Sequence, residues 1–250
     1  MRSSVFSSLL VLSVSLGRAD FLSSLTEADR EFESNNYSSA VAIYDSLLIS
    51  SEDSSDVLWR LARVYVCMGD IAPRDQKQHL YRRAGAFAER AITADSTKPE
   101  GHTWRAAALG NIAMFEGAKT KVQLCTVIKS ELDEAIKLNP KDDIAYSILG
   151  SFYMALGNIS WVERQLAAIF LGGIPDGGYV EAEESLKRAI SLSPTTIRHH
   201  FELGRLYSYE DRNEEAIEEF RKAASLPALL IRDVRTQRFA TERIKRLREE

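Results

Sequence analysis

The chain has 250 residues, of which 45% are hydrophobic and 27% charged, and its formal net charge is −4. This composition is typical of a soluble folded protein, and its slightly acidic balance argues against a general nucleic-acid binder, which would usually be basic. Two cysteines, Cys67 and Cys125, are too few for a disulfide framework or a cysteine-rich metal cluster. We expect both to be buried apolar thiols rather than a disulfide pair.

The N-terminal residues have the pattern of a secretory leader. One basic residue, Arg2, precedes an apolar stretch, Leu9 to Leu16, and small residues stand three and one positions before a cut after Ala19. The stretch is too short to span a membrane, which takes about 20 apolar residues. We therefore predict a signal peptide over residues 1–19 and an exported, periplasmic or secreted, mature chain without a stable membrane span. A mitochondrial presequence is the alternative.

The middle of the chain, residues 20–227, repeats a helix–turn–helix pattern. Its clearest instance is ELDEAIKLNP followed by KDDIAYSILGSFYMALGN, in which Pro140 marks a turn and Gly157 closes the next helix. Tetratricopeptide units recur every 34 residues or so and place small residues where their two helices approach closely. The sequence therefore predicts about five such units. In the third unit the close-packing pair is predicted to be Ala107 and Ala108.

The spacing between the two helices of a unit locates insertions. From Ala28 to Leu47 and from Gly204 to Ala223 the separation is 19 residues. In the three middle units it is longer: 29 from Ala62 to Ala91, 27 from Ala108 to Ala135 and 39 from Gly150 to Ala189. We call the first helix of each unit helix A and the second helix B. Extra residues are therefore expected between helix A and helix B, where they would project from one edge of the stack. The second unit's helix B is predicted as AGAFAERAITAD. The longest insertion is predicted to hold a short helix, SWVERQLAAIF, and a glycine-rich loop, LGGIPDGGY, that uses positive φ.

These patterns together predict an all-α fold. It is a tetratricopeptide-like, right-handed α-solenoid of about five helix pairs with a C-terminal capping helix over residues 228–250. The capping helix is expected to pack through one apolar face formed by Leu230, Val234, Phe239 and Ile244. Its basic residues are interpreted as an ordinary solvated face, with attraction of an acidic partner or an anionic membrane as the alternative.

Three stretches resemble a known family. They are WRLARVY, AIKLNPKD leading into ILGSFYMALGNISWVERQ, and the long insertion before YVEAEESLKRA. Together they resemble the regulator of microtubule dynamics family over Val57 to Pro227, most specifically through Trp161, Arg164, Gln165 and Tyr179. The resemblance implies a tetratricopeptide-like adaptor associated with microtubules, mitochondria or other organelle membranes. The leader pattern indicates an exported relative instead.

The sequence carries no motif for catalysis. A nucleophile elbow, a Walker loop and HExxH are all absent. No histidine pair has the i, i+4 spacing of a helical metal site, so no metal or cofactor is predicted, and His200 is expected to be a core histidine. Acidic runs around Glu183 and Glu219 are interpreted as solvated faces with i, i+4 pairs such as Glu183–Lys187. An enzyme on the inserted edge is the alternative, with Asp75, His79, Glu163 and Asp176 as its candidate groups.

The concave face lined by the A helices is the predicted binding surface. Arginines interleaved with aromatic residues suit a protein or peptide partner. The partner would be acidic if it binds mainly through the arginines. The alternatives are that these arginines pair with glutamates of the B helices or that the C-terminal helix fills the groove. The predicted function is a non-enzymatic, exported protein-interaction scaffold, with a microtubule- or mitochondria-associated adaptor as the alternative. The predicted groove residues are Trp59, Arg63, Arg105, Ser147, Ser151, Phe201, Arg205 and Tyr209.

Overall fold

A computed structural model describes residues 5–50 and 54–249, except for the side chains of residues 5–16, Ser50 and Trp161. These residues form helices joined by turns, and no strand occurs among them. The predicted all-α fold is confirmed. The helices are α1 (Val5–Glu33), α2 (Tyr37–Ser50), α3 (Ser55–Ile71), α4 (Arg74–Ala94), α5 (Pro99–Ala113), α6 (Ala118–Leu138), α7 (Asp143–Gly157), α8 (Trp161–Leu171), α9 (Tyr179–Leu192), α10 (Ile197–Tyr209), α11 (Asn213–Ser225) and α12 (Ile231–Leu247).

Ten of these helices form five antiparallel pairs. The pairs are α1 with α2, α3 with α4, α5 with α6, α7 with α9, and α10 with α11, and we number them one to five. From pair two onwards the first helix of each pair also packs against the first helix of the next, and each second helix contacts the following first helix. This serial stacking confirms the predicted α-solenoid.

The predicted leader, residues 1–19, falls largely outside the described side chains. Residues 1–4 are not described at all, and side chains are described only from residue 17 onwards. Helix α1 continues past the predicted cut at Ala19, and its buried side chains, Leu25, Ala28 and Phe32, belong to pair one. The leader therefore stays a prediction.

The close approach between the two helices of a pair needs a small residue at one position. In pair four a Cβ on Gly150 would lie 2.5 Å from Leu186 Cγ, and in pair five a Cβ on Gly204 would lie 2.8 Å from the Phe220 ring. The equivalent residue in pair three is Ala106, which packs in one cluster with the buried residues of α6.

The prediction of Ala107 and Ala108 for this position was therefore wrong by up to two residues. Both are buried, but they pack with the cluster of the preceding pairs rather than with α6. Residues 106–108 are all alanine, so any of the three satisfies the demand for a small side chain. With Ala106 as the anchor, the separation to Ala135 is 29 residues, the same as in pair two.

The predicted insertions lie between the paired helices, but in pairs two and three they are mostly helical. Helices α4 and α6 have 21 residues each, against 14 for α2 and 13 for α11. Only Ala72 and Pro73 separate α3 from α4, so α4 begins ten residues before the predicted start at Ala84. Nothing between Pro73 and Ala84 breaks a helix, because the stretch RDQKQHLYRR contains neither glycine nor proline.

In pair four the insertion has the predicted form, a short helix and a loop. Helix α8 starts at a capping box, in which Ser160 and Glu163 bond each other's backbone N–H groups. It ends at Gly172, and the loop that follows contains three glycines in the left-handed region: Gly172 at φ 85°, Gly173 at 88° and Gly177 at 123°. These are backbone conformations that glycine adopts at little cost.

Helix α12 packs on pair five as predicted, but through a different face. Ala240 is buried, and Ile244 and Leu247 are half-buried against the cluster of pair five. Val234 is 57% exposed and Phe239 36%, so the predicted single apolar face was wrong. These two residues are five positions apart, which is about 140° around a helix, and cannot share one narrow face.

Candidate interaction surface on the first helices

Equivalent positions on the first helices form two rows across the array, which we call the inner rows. The first row holds Trp59, Thr103, Ser147 and Phe201, and the second row, four residues later, holds Arg63, Ala107, Ser151 and Arg205. The stacking of the first helices brings successive members of each row side by side. Six of the eight predicted groove residues lie in these rows, and Tyr209 follows one turn later.

Arg105 does not belong to the inner rows. Its guanidinium donates to Glu131 of α6 at 2.6 Å and to Glu89 of α4 at 3.1 Å. It therefore faces the layer of second helices. This agrees with the alternative prediction, in which the arginines pair with glutamates of the B helices. The error follows from the shifted register in pair three. Thr103 occupies the inner position, and its hydroxyl donates to Asp142 at 2.6 Å.

Arg63 is committed to contacts within the protein. Its Nη2 donates to Asp29 Oδ1 at 2.7 Å, and its guanidinium lies 4.0 Å above the ring of Phe32 and 5.2 Å from that of Trp59. Arg60 donates to the same carboxylate at 2.8 Å. Arg63 thus holds pair one against pair two, and it shares its carboxylate partner with Arg60.

Asp29 is held ionised by these contacts. Burial alone would raise its pKa, but a hydrogen bond from Tyr44 at 2.7 Å and the guanidinium groups of Arg60 and Arg63 lower the pKa below its usual value. The cluster joins the first two pairs, and its one carboxylate is shared by two guanidinium groups.

Pairs four and five contribute the more open part of the rows. Ser147 is 3% exposed and cannot touch a partner directly, whereas Ser151 is half-buried and donates to the Ser147 carbonyl at 3.1 Å. Tyr209 is 46% exposed. Arg205 donates to Glu202 at 2.7 Å, so this arginine is also balanced internally.

Helix α12 reaches from pair five to pair two through Asp70 at the end of α3. Arg235 of α12 donates to the Asp70 carbonyl at 2.6 Å, and the guanidinium of Arg232 lies 3.9 Å from the Asp70 carboxylate. Arg198 of α10 lies 3.3 Å from the same carboxylate. Residues far apart in sequence therefore converge on one carboxylate and bring pair five against pair two.

The start of α12 also contacts pair one. The Ile231 backbone N–H donates to Asn35 Oδ1 at 2.6 Å, and Leu230 packs against the cluster of the first three pairs. A cavity of about 230 Å³ lies beneath α12 and is lined in part by Phe201 and Arg198. At this end of the inner rows the C-terminal helix occupies the groove. This agrees with the alternative prediction that the C-terminal helix fills it.

Two buried histidine–glutamate pairs, which the sequence did not indicate, join the helices of pairs three and five. His102 Nδ1 lies 2.6 Å from Glu131, and His200 Nδ1 lies 2.7 Å from Glu219. In each case the other ring nitrogen faces a backbone carbonyl six residues earlier, at 3.1 Å and 2.9 Å. The shared geometry marks equivalent repeat positions. The expectation that His200 is a core residue is confirmed, whereas Glu219 is buried rather than solvated.

Contacts within the protein favour the charged form of both histidines. For His102 the hydrogen bond with Glu131 raises the pKa above its usual value, against the opposing effect of burial. For His200 burial alone would lower the pKa, but the hydrogen bonds to Glu219 and to the Pro194 carbonyl raise it. Each imidazolium donates through both ring nitrogens, so the pairs act as structural ties.

Glu163, one of the residues considered for catalysis, has a structural role. Glu163 caps α8, and no group of three His, Cys, Asp or Glu among the described residues is placed to hold a metal ion. Glu183 pairs with Lys187 at 2.6 Å as predicted, but Arg212 at 2.7 Å also binds it and lowers its pKa to about 2. Both cysteines are free thiols; Cys67 is buried as expected, whereas Cys125 is only half-buried. None of the helices in the described ranges is long and apolar enough to cross a bilayer.

The serial stack of helix pairs defines the class of protein: a tetratricopeptide-like α-solenoid, a fold that presents extended surfaces. A solved structure shows the same fold. A thermophilic TPR protein of Thermus thermophilus matches with a TM-score of 0.68 and 18% identity, over 90% of this chain and 99% of that one.

The family follows from sequence comparison. The model of "Regulator of microtubule dynamics protein 1-3" matches residues 24–248, so the chain belongs to this family. Human regulator of microtubule dynamics protein 2 is 29% identical over 188 residues, 74% of this chain and 46% of the relative. The bovine regulator of microtubule dynamics protein 1 is 26% identical over 225 residues, 88% of this chain and 70% of the relative. The chain thus spans about half the length of the protein 2 relative.

Proposed function

We propose that this chain is a non-enzymatic scaffold that binds other proteins and acts as a microtubule-associated adaptor. The observation that carries the proposal is the family match over residues 24–248, which covers all five helix pairs. The relatives are named as regulators of microtubule dynamics. Stacked helix pairs present the kind of extended surface that repeat proteins use for recognition.

The ion pairs already formed in the inner rows favour a different surface for an acidic partner. Arg63 and Arg205 each have a carboxylate partner, so an acidic peptide there would have to displace an existing ion pair. The outer face of α12 instead exposes a dense group of cations. Its exposed basic residues are Arg238, Arg243, Lys245, Arg246 and Arg248, with the acids Glu242 and Glu249 among them.

We therefore propose that α12 makes the main contact with an acidic segment, such as a tubulin tail. The open part of the inner rows, Ser151 and Tyr209, would contribute a second contact to the same partner. Long-range attraction by exposed cations raises association rates and weakens as salt screens the charges.

Co-sedimentation with polymerised tubulin tests this function. We expect the wild-type protein to pellet with the polymer at low salt and less at high salt. The double variant Arg243→Glu, Arg246→Glu should bind at least about tenfold more weakly, because it places acidic groups against an acidic partner. The control Lys119→Glu, Lys121→Glu changes the net charge equally on another edge and should bind like wild type. Failure of the wild type to pellet, or equal loss in both variants, would refute the proposal.

The alternative to an adaptor inside the cell is an exported scaffold, and the two proposals exclude each other. We propose that residues 1–19 form a cleaved leader ahead of a repeat domain, 20–227, and a capping segment, 228–250. The family match begins at residue 24, after the proposed leader. N-terminal sequencing of the protein from its native cells should then begin at Asp20, and a retained leader would contradict export and favour the adaptor inside the cell.

A further inference from the structure

The cavity beneath α12 collects more cations than carboxylates. It has a volume of about 230 Å³ and is lined by residues of α3, α4, α10 and α12. The partner of each charged group decides whether the cavity is electrically balanced. Its charged lining residues are the cations Lys77, Arg198, Arg232 and Arg235 and the acids Asp70, Glu202 and Asp233.

Two of the three carboxylates are engaged at least partly elsewhere. Asp233 caps α12, where it accepts hydrogen bonds from two backbone N–H groups at 3.2 Å and 2.9 Å. Glu202 accepts from Arg205, which does not line the cavity, at 2.7 Å, and lies 3.9 Å from Arg198. Neither acid is therefore free to balance the cations of α4 and α12.

Asp70 is the acid on which the cavity depends, and several groups share it. The guanidinium groups of Arg198 and Arg232 lie 3.3 Å and 3.9 Å from its carboxylate. The same carboxylate also accepts a hydrogen bond from the Tyr81 hydroxyl at 3.1 Å. One negative charge thus serves two arginines.

The other two cations form no ion pair with a carboxylate among the described residues. Lys77 Nζ donates to the Gly69 and Asp70 carbonyl oxygens at 2.6 Å and 2.9 Å, and Arg235 Nη1 donates to the same Asp70 carbonyl at 2.6 Å. Two positive charges therefore meet at one neutral oxygen atom. Burial and the nearby Arg235 lower the pKa of Lys77, against the opposing effect of the Asp70 carboxylate.

The end of α3 offsets only part of this positive charge. Lys77 and Arg235 bind the last carbonyl groups of α3, which ends at Ile71. A helix C-terminus carries roughly half an elementary negative charge, which is less than the charge of two cations. The cavity therefore keeps a surplus of positive charge, and water screens it less than at an open surface.

The walls and the size of the cavity limit the anion that fits. The aromatic side chains of Tyr81, Phe201 and Phe239 lie beside the cations. Inorganic phosphate has no apolar part to cover these rings, whereas a short carbon chain does. The volume is below the range of about 300–1,000 Å³ that is typical of sites for drug-sized ligands, so the ligand is small.

We propose that this cavity binds a small anion that carries two or three carboxylate groups on a short carbon skeleton. Lys77 and Arg235 hold one carboxylate and Arg198 another, through charge-assisted hydrogen bonds. The aromatic side chains cover the carbon atoms. Because the site lies between α3 and α12, the ligand strengthens the contact that joins pair five to pair two. The proposal does not rest on tubulin binding, which is assigned to the outer face of α12.

Thr236 allows a test of the surplus charge that leaves the contacts of the cations in place. It lines the cavity, and its hydroxyl donates to the Arg232 carbonyl within α12. Thr236→Glu adds a carboxylate of the protein itself beside the cations, and Thr236→Gln is its uncharged match. Glutamate and glutamine are both good helix formers, so α12 should persist, as circular dichroism can verify.

Isothermal titration calorimetry with citrate at low ionic strength tests the proposal. We expect wild type and Thr236→Gln to bind citrate saturably, and Thr236→Glu to bind at least about tenfold more weakly, because its carboxylate repels the ligand. Lys77→Met with Arg235→Met should lose about tenfold or more in affinity, since two charged donors are removed. The control Lys119→Met, Lys121→Met removes the same charge from exposed positions on α6 and should bind as wild type does.

Thermal unfolding gives a second readout. Without citrate, Thr236→Glu should have a higher melting temperature than Thr236→Gln, because the new carboxylate meets unbalanced cations. Citrate should raise the melting temperature of the wild type, since it binds the folded state. A lower melting temperature for Thr236→Glu than for Thr236→Gln would contradict the surplus of positive charge.

Three further results would overturn the proposal. One is an absence of saturable citrate binding by the wild type, and another is equal binding by Thr236→Glu and Thr236→Gln. The third is binding of inorganic phosphate as tight as that of citrate, which would make the cavity a general oxyanion site. A peptide of four glutamates tests the source of the carboxylates. If it binds more tightly than citrate and Thr236→Glu abolishes that binding, the ligand is an acidic peptide and not a free small molecule.

Discussion

At the scale of single residues, buried ion pairs tie the two helices of a unit together. His102 with Glu131 and His200 with Glu219 repeat the same geometry two units apart. The sequence shows four histidines without metal spacing, and it gave no reason to connect His102 with a glutamate 29 positions later. The link becomes visible only once the register of pair three is known.

These pairs predict a pH dependence of stability. Contacts in the folded protein raise the pKa of both histidines, so their contribution is complete below the pKa of an unfolded histidine, about 6.5. It is lost as the pH rises through the folded-state pKa values. Urea unfolding should therefore show a free energy of unfolding that declines from neutral to mildly alkaline pH.

The double variant His102→Gln, His200→Gln isolates this effect. It should be less stable than wild type near neutral pH, by about 1–3 kcal/mol for each buried partner left unsatisfied. Its stability should also change less across the alkaline range. Parallel pH profiles for wild type and variant would show that the histidines do not carry the dependence.

At the scale of helices, close approach decides where glycine is required. Gly69 lies within α3, which continues to Ile71. A Cβ at residue 69 would lie 2.4 Å from the ring of Tyr81 on α4, whose hydroxyl donates to Asp70 at 3.1 Å. Pair four repeats this arrangement with Gly157 and Tyr179. Gly69 therefore serves packing between helices.

Gly69→Ala should destabilise the protein by about 1–3 kcal/mol, because Tyr81 must move from a packed position. Gly110 is the matched control, since it also lies within a helix, α5, and a Cβ there meets no atom within 4 Å. Gly110→Ala should be neutral or stabilising by up to about 1 kcal/mol. Urea unfolding of the two variants gives the comparison, and equal effects would refute the packing role.

Helix pairing was largely predictable from the sequence because it depends on local periodicity. The five pairs, α8 and its glycine loop all follow from apolar spacing and turn residues. The start of α4 was not predictable, because RDQKQHLYRR has no apolar stripe. The register of α5 was not predictable either, because any of three consecutive alanines satisfies the demand for a small residue. The wrong register in turn misplaced Arg105.

At the scale of the whole molecule, the two ends of the array are joined. Arg198 and Asp70 are 128 positions apart, and Ile231 and Asn35 are 196 apart. No local pattern encodes such contacts, because they depend on the accumulated curvature of several stacked pairs. The sequence therefore predicted a groove, whereas the structure shows one end of it occupied by α12.

The joined ends are tested most directly by paramagnetic broadening in NMR spectra. A nitroxide is attached at Ile231→Cys after Cys67 and Cys125 are replaced by alanine. Our account predicts strong broadening of the amide signals around Asn35, because the Ile231 N–H is bonded to that side chain. A label at Thr241→Cys, which is exposed further along α12, should affect them less. Unchanged signals around Asn35 with the label at residue 231 would contradict a closed array.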